Sequence, residues 1–266
     1  MKKALIVAEQ EFSRLLRRLW VPASLICLAL LCFALFSGRG RPSAGAGAAG
    51  LDRGSASLSE LVLLSSSLLG IVVAALSFST EHVGGTTDLL RSLGLGRTGY
   101  LIGKYTGLLA SVAAVAGIVA LEGAVVGAHS ATAVLGLTAM ATAAVYAAWG
   151  AFFGGACHSS LSAAGASLAF WFATMFLYEA LGWALFPALP YRVAKPALAL
   201  FLALDPAEAL RLGAVFLGNR GAALGPEFYY WQLFFLSFPG ILLAALLLFL
   251  HSALPLSLAA RASRRA

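Results

Sequence analysis

The chain has 266 residues, of which 61% are hydrophobic and only 11% are charged. A soluble domain normally has about a quarter charged residues, so this composition excludes a water-soluble fold and makes the lipid bilayer the solvent. The net charge of +7 fits basic residues held at a cytoplasmic membrane surface. Nucleic-acid binding is not indicated, because no basic patch is interleaved with aromatic side chains.

The first nineteen residues predict an amphipathic helix that lies in the membrane interface. Apolar side chains recur at helical spacing, and most of the remaining positions are basic or polar. A cleaved signal peptide is the alternative, although the charged stretch before the first apolar run is long for one. The apolar face comprises Leu5, Ala8, Phe12, Leu15, Leu16 and Leu19.

Six further segments are long and apolar enough to cross a bilayer as helices. They lack the ten-residue alternating pattern of a membrane barrel, so the sequence predicts an all-α integral membrane protein. The transmembrane domain is expected at 20–256 and a basic tail at 257–266. The six spans are expected at 20–36, 58–79, 100–128, 131–156, 161–186 and 232–256.

An even number of spans puts both termini on one side of the membrane. With these spans, eleven of the Lys and Arg residues share the side of the termini and seven lie opposite. The positive-inside rule therefore predicts cytoplasmic termini and, for a bacterial chain, the inner membrane.

Two connections are long enough to engage a partner or a substrate. The inner connection is 80–99 and the outer one is 187–231. Within the outer connection, 196–204 is apolar but too short to cross, which indicates a re-entrant or interfacial piece. The polar residues that follow this piece are Asp205, Pro206, Glu208 and Arg211.

The inner connection reads as a short helix beneath the membrane. Glu81 ends the second span, and Gly84 and Gly85 bend the chain. Thr86 or the threonine after it is a plausible N-cap, with Asp88 in the first turn.

Glu122 and Glu179 fall inside predicted spans, where a carboxylate is costly. Two interpretations stay open for both. Each is either a hydrogen-bonded carboxylate near the outer interface or part of a substrate path or gate. Three GxxxG motifs, at 103–107, 123–127 and 150–154, allow close helix packing within the chain or at a dimer seam.

The chain lacks the motifs of the common catalytic sites. It contains no HExxH, GxSxG or CxxC, and the Gly103-Lys104 pair lacks the remainder of a P-loop. The histidines and cysteines are scattered without metal-ligand spacing. We therefore expect no catalytic residue, cofactor or metal in this chain.

The inner connection resembles that of the ABC-2 type permease family of ATP-binding cassette transporters. The family pattern is an acidic residue, Gly-Thr, Leu-Leu, Pro, Arg and then Gly-Lys entering the third span. The matching positions are Glu81, Gly85-Thr86, Leu89-Leu90, Gly94 in place of Pro, Arg97 and Gly103-Lys104. The opening 7–12 and the Asp205-Pro206 segment with Arg211 are similar as well. Within the family, six-span length and this outer segment look most like the NosY-type permeases, which support maturation of the nitrous oxide reductase copper site.

The resemblance implies a non-catalytic permease subunit. The inner connection would be the coupling helix that docks on a separate cytoplasmic ATPase, which binds ATP and Mg²⁺. The implied partners are two such ATPase subunits, a second copy of this chain, membrane lipid and a periplasmic protein. The coupling residues would be Glu81, Gly84, Gly85, Thr86, Asp88, Leu89, Leu90, Arg91 and Arg97.

Two alternatives remain. One is a mechanical or scaffold subunit that relays ATPase motion to an outer partner without carrying a solute. The other is a membrane-embedded enzyme that uses Glu122 or Glu179 with a histidine as acid and base.

Overall fold

A computed structural model describes residues 2–17, 53–86, 94, 96–125, 129–217 and 226–262. The described chain is helical, with no strand among these residues, as the sequence predicted. A π-helical turn at Ala173–Leu177 and a short 3-10 turn at Phe186–Ala188 interrupt the regular helices. The helices are α1 (Lys2–Arg17), α2 (Arg53–Val83), α3 (Arg97–Val125), α4 (His129–Ala156), α5 (Ser160–Phe172), α6 (Tyr178–Leu185), α7 (Tyr191–Leu204), α8 (Pro206–Leu217), α9 (Pro226–Leu236) and α10 (Phe238–Ala262).

Four stretches of the described helices are long and apolar enough to cross a membrane. They correspond to the second, fourth, fifth and sixth predicted spans. The first predicted span, 20–36, lies outside the described residues. The third coincides with the continuous helix α3, and its crossing of the bilayer stays a prediction. The four stretches are Glu60–Val83, Gly136–Ala156, Ser160–Gly182 and Phe238–Ala262.

Helix α4 is the centre of the bundle. Its side chains Ala143, Tyr146 and Ala147 are fully buried, and it contacts α2, α3, α5, α8 and α10. A helix with no single apolar face suits a position that neighbours surround on several sides.

Glycines bring α2 and α4 into backbone contact. A Cβ added at Gly150 would lie 2.3 Å from the carbonyl oxygen of Ile71, and one added at Gly154 would lie 2.6 Å from that of Ala75. Gly70 of α2 approaches Ala143 in the same way. The third GxxxG motif therefore packs within the chain, in line with one of the two interpretations of these motifs.

Residues Lys2–Arg17 form the helix α1, which lies along α3, and its placement in the membrane interface stays a prediction. Gly107 of α3 leaves room for the Ala8 backbone, and Leu15 packs with Ala74 and Leu108 in the core. Leu5, which belongs to the same predicted apolar face, is 72% exposed. One end of α1 thus joins the bundle, and the other offers apolar surface to its surroundings.

The chain between α4 and α8 turns at positions with clear local causes. Ser159 caps α5 in a reciprocal capping box with Ser162. The axis then runs through the π turn into α6, and α7 ends at Asp205, because the residue before a proline disfavours helical backbone angles. Pro206 occupies the first position of α8, which needs no amide donor.

The last helix continues further than predicted. α10 runs to Ala262, so the segment predicted as a basic tail from 257 begins within this helix. The residues after Ala262 lie outside the described part of the chain.

Candidate functional site

A buried lysine organises the first of two charge clusters. Lys104 lies in the second turn of α3 with its side chain fully buried. Its Nζ is 2.6 Å from Glu81 Oε2 and 3.9 Å from Glu11 Oε2, and it donates to the Ser77 carbonyl at 2.9 Å. A buried cation is tolerated only when such partners replace its water shell.

The two carboxylates have further donors. The Tyr100 hydroxyl donates to Glu81 Oε2 at 2.6 Å, and Arg14 forms an ion pair with Glu81 Oε1. The Ser77 hydroxyl donates to Glu11. We name Glu11, Arg14, Ser77, Glu81, Tyr100 and Lys104 the Lys104 cluster.

Aromatic rings close the apolar side of the Lys104 cluster. Lys104 Nζ lies 5.0 Å from the ring centroid of Phe78 and 5.7 Å from that of Tyr100. The two rings meet edge to face at 6.2 Å. Ring faces carry partial negative charge and therefore add to the attraction for the ammonium group.

Helical spacing explains why three helices meet at this point. Ser77 and Glu81 are four residues apart on α2, and Tyr100 and Lys104 are four apart on α3, so each pair shares a face. On α1, Glu11 falls between Ala8 and Leu15 on the stripe that meets α3. The Lys104 cluster therefore joins α1 and the facing ends of α2 and α3.

The predicted coupling residues start directly at this cluster. Glu81 belongs to it, and its described partners are internal to the chain. After Val83, Gly84 donates to the Thr80 carbonyl, and Gly85 adopts a φ of +70°, which glycine tolerates without strain.

Other coupling residues are described in part or not at all. Thr86 is helical and exposed, and Gly94 is again left-handed, with a φ of 76°. α3 begins at Arg97, whose side chain is not described. Asp88, Leu89, Leu90 and Arg91 lie outside the described residues.

An arginine organises the second charge cluster, at the other end of α2. Arg211 of α8 donates to Glu208 at 2.7 Å, and its guanidinium is 3.2 Å from Glu60 and 3.5 Å from Glu179. These four residues, the Arg211 cluster, link α8 to α2 and α6.

Burial and charge shift the pKa values within the outer segment. Burial raises the pKa of Glu208, and the adjacent Arg211 only partly offsets this. Burial lowers the pKa of Arg211, but Glu208, Glu60 and Glu179 outweigh that effect and raise it overall. Arg211 is therefore a permanent cation that holds three carboxylates.

Asp205 lies one turn before this cluster. Its side chain is 3% exposed, and Oδ1 accepts from the Ala207 amide at 3.0 Å, as an N-cap does. Oδ2 is buried without a hydrogen-bond partner. Burial raises the pKa of Asp205 to about 7.

The two carboxylates predicted inside spans have different outcomes. Glu179 forms an ion pair with Arg211 at 3.5 Å and is 38% exposed, and the choice between its two interpretations stays a prediction. The side chain of Glu122 is not described. The described contact of His251 is with the Ala203 carbonyl at 3.0 Å. In the part of the chain that the structure describes, no group of three or more His, Cys, Asp and Glu could hold a metal ion.

The two clusters mark the ends of a membrane-sized length. Glu60 and Glu81 both belong to α2, and at about 1.5 Å per residue they are about 31 Å apart. That distance is close to the ~30 Å thickness of a bilayer hydrocarbon core.

Sequence reasoning missed several of these residues. Glu11, Glu60, Tyr100 and Lys104 were not predicted as site residues. The available signal for Glu11 was its place on the α1 stripe between Ala8 and Leu15.

Comparison with known proteins adds no assignment. No family model matches the chain, and no curated protein matches it.

Proposed function

We propose that this chain is the membrane-spanning, non-catalytic permease subunit of an ABC-2 type transporter. Two copies would pair, and two cytoplasmic ATPase subunits would bind ATP and Mg²⁺ beneath them. The proposal rests on the motif resemblance of the inner connection together with the membrane-capable helices of the bundle.

The Lys104 cluster is the observation that supports this function best. A coupling segment can pass movement to the bundle only if the helix ends to which it is attached stay fixed to each other. The segment from Gly84 to Arg97 is attached to α2 and α3, and Lys104 ties these two helices through Glu81.

The strength of the ion pair between Lys104 and Glu81 suits force transmission. Separating Lys104 from Glu81 leaves the buried ammonium group with Glu11 at 3.9 Å and leaves Glu81 with the more exposed Arg14. Loss of one partner of a buried ion pair costs roughly 3–5 kcal/mol. α1 joins the same unit through Glu11. Movement of the inner segment would therefore displace three helix ends together.

Stimulation of ATP hydrolysis in a reconstituted complex tests the proposal. The double substitution Asp88→Arg, Arg91→Glu reverses the two charges of the predicted coupling helix and should abolish stimulation of the ATPase. Membrane insertion should remain intact, because both positions belong to the extramembrane connection.

The matched control is Arg261→Glu, which reverses an exposed charge in the last turn of α10. It should leave stimulation unchanged. Full stimulation by the Asp88/Arg91 double variant would contradict the coupling role.

Force transmission without a solute is the second candidate, and the Arg211 cluster favours it. α8 is held to α2 and α6 through one guanidinium, so the outer segment would move with the bundle. Such a segment could work on a periplasmic partner, as proposed by similarity to NosY-type permeases in copper-site maturation. Purifying the complex with its outer partner, and testing candidate solutes for ATPase stimulation, separates the two.

A further inference from the structure

The break between α7 and α8 lies inside the bundle. Asp205 has extended backbone angles, with φ −93° and ψ 114°, between two helices. It is buried together with Pro206 and Ala207, and Ala207 packs against Ile71 of α2 and Tyr146 of α4. The hinge between the two helices is therefore held against the core.

The carboxyl group at this hinge is only half satisfied. Oδ1 caps α8, whereas Oδ2 is shielded from water and has no donor. A charged carboxylate needs donors for both oxygens, and a protonated one needs far less because it carries no charge. The position therefore suits the neutral acid.

Three polar side chains on the elements around the hinge are engaged elsewhere. Tyr146 of α4 bonds the Thr174 hydroxyl at 2.9 Å, and the Tyr178 hydroxyl of α6 donates to the Phe201 carbonyl at 2.9 Å. His251 of α10 contacts the Ala203 carbonyl.

The charged groups near the hinge belong to the Arg211 cluster. Arg211 is bound to Glu208 of α8, Glu179 of α6 and Glu60 of α2. Its charge lowers the pKa of Asp205, and that of Glu208 raises it, but burial dominates.

We infer that Asp205 is a proton-binding site whose occupancy holds the α7–α8 hinge in the bundle and whose deprotonation favours release of the hinge toward water. This site does not depend on the proposed function, since it follows from the hinge geometry alone.

The direction of the pH effect follows from linkage. The pKa of Asp205 is about 7 in the packed hinge, well above the ordinary value of about 3.9 for aspartate. A raised pKa means that the packed state binds the proton more tightly. The proton therefore stabilises the packed state fully below the ordinary pKa of aspartate, and this stabilisation is lost as pH rises to about 7. Within this window each pH unit changes the packing equilibrium by up to about tenfold.

Infrared spectroscopy of the purified full chain tests whether the proton is present. The difference between wild type and Asp205→Asn at about pH 5.5 should contain the carbonyl band of a protonated carboxylic acid, and this band should vanish at about pH 8.5. Asn has the same size and remains a good N-cap. Asp205→Ser, a second neutral N-cap, should remove the same band. Absence of the band at the lower pH would overturn the inference.

Cysteine labelling tests whether the proton holds the hinge. Ala207→Cys in a background without the native cysteines places a thiol in the buried first turn of α8. The rate at which maleimide labels this thiol is measured once with Asp205 present and once with Asp205→Asn. The ratio of the first rate to the second cancels the intrinsic pH dependence of the thiol. This ratio should rise by more than about tenfold between about pH 5.5 and about pH 8.5, because about 1.5 pH units of the window lie between the lower pH and the raised pKa. A ratio that does not change with pH would contradict the coupling of the proton to the hinge.

Discussion

Lys104 shows how a membrane protein uses an ionised side chain for structure. Its ammonium group has no access to water, so its stability in the charged form depends on Glu81, Glu11 and a backbone carbonyl. Arg14 approaches the same carboxylate from a side chain that is 44% exposed, where screening makes an ion pair weak. Burial, rather than the number of contacts, therefore sets the importance of each cation.

Lys104→Met keeps the volume of the side chain but removes the buried cation from Glu11 and leaves Glu81 with only the more exposed Arg14. We expect a loss of roughly 3–5 kcal/mol in the free energy of unfolding. The midpoint of unfolding by SDS in mixed micelles, followed by tryptophan fluorescence, measures this loss.

Arg14→Ala is the matched control, because it removes the exposed cation of the same carboxylate and should cost below about 1 kcal/mol. Adding Glu81→Gln to Lys104→Met should recover part of the stability, since it neutralises the orphaned charge. Equal losses for the Lys104 and Arg14 variants would contradict the importance of burial.

At the scale of helices, the contact between α2 and α4 depends on glycines, which have no side chain to separate the two backbones. The two backbones approach so closely at Gly70, Gly150 and Gly154 that a Cβ at any of these positions would clash with the facing helix. Without a hydrophobic drive between helices in lipid, such close packing is a main source of association.

Gly150→Ala would place a Cβ 2.3 Å from the Ile71 carbonyl oxygen, so the two helices must separate. We expect a destabilisation of roughly 1–3 kcal/mol, as for other overpacked cores. The same SDS unfolding midpoint reports it.

Gly165→Ala is the control, because nothing lies within 4 Å of its Cβ position on α5. It should be neutral or stabilise by up to about 1 kcal/mol through helix propensity. A Gly150 variant as stable as the Gly165 variant would show that the α2–α4 contact is looser than described.

Sequence periodicity predicted individual helices better than their contacts. Apolar runs predicted the four membrane-capable stretches because each run is a local property. The end of α7 at Asp205 was predictable for the same reason, since Asp-Pro acts on its own backbone. The pairing of Lys104 with Glu11 was not, because a lysine near a span end normally extends to the interface and nothing local names its partner. Arg211 was named as a residue of the outer connection, but its ion pairs with α2 and α6 depend on tertiary packing.

At the scale of the whole molecule, the orientation of the chain in the membrane decides which of the two charge clusters faces the cytoplasm. The Lys104 and Arg211 clusters lie toward opposite ends of α2. The positive-inside distribution predicts that the Lys104 end faces the cytoplasm.

Single cysteines in a background without the native cysteines test this orientation. His158→Cys in the α4–α5 turn and Arg192→Cys at the start of α7 both replace exposed side chains. In intact cells, a membrane-impermeant maleimide should label position 192 and spare position 158.

Permeabilised cells provide the control, since both cysteines should then react. Reversed labelling would contradict the orientation, and labelling of both positions in intact cells would contradict a crossing between 160 and 186.

The distance between the two clusters on α2 has a consequence for the lipids around the protein. In a bilayer much thicker than about 30 Å, the carboxylates of one cluster would enter the acyl chains, and in a much thinner one apolar turns would meet headgroups. Helix tilt and local lipid deformation relieve such mismatch only at a cost. Acyl-chain length should therefore affect how the chain behaves on reconstitution, through the hydrophobic match alone and without any specific lipid contact.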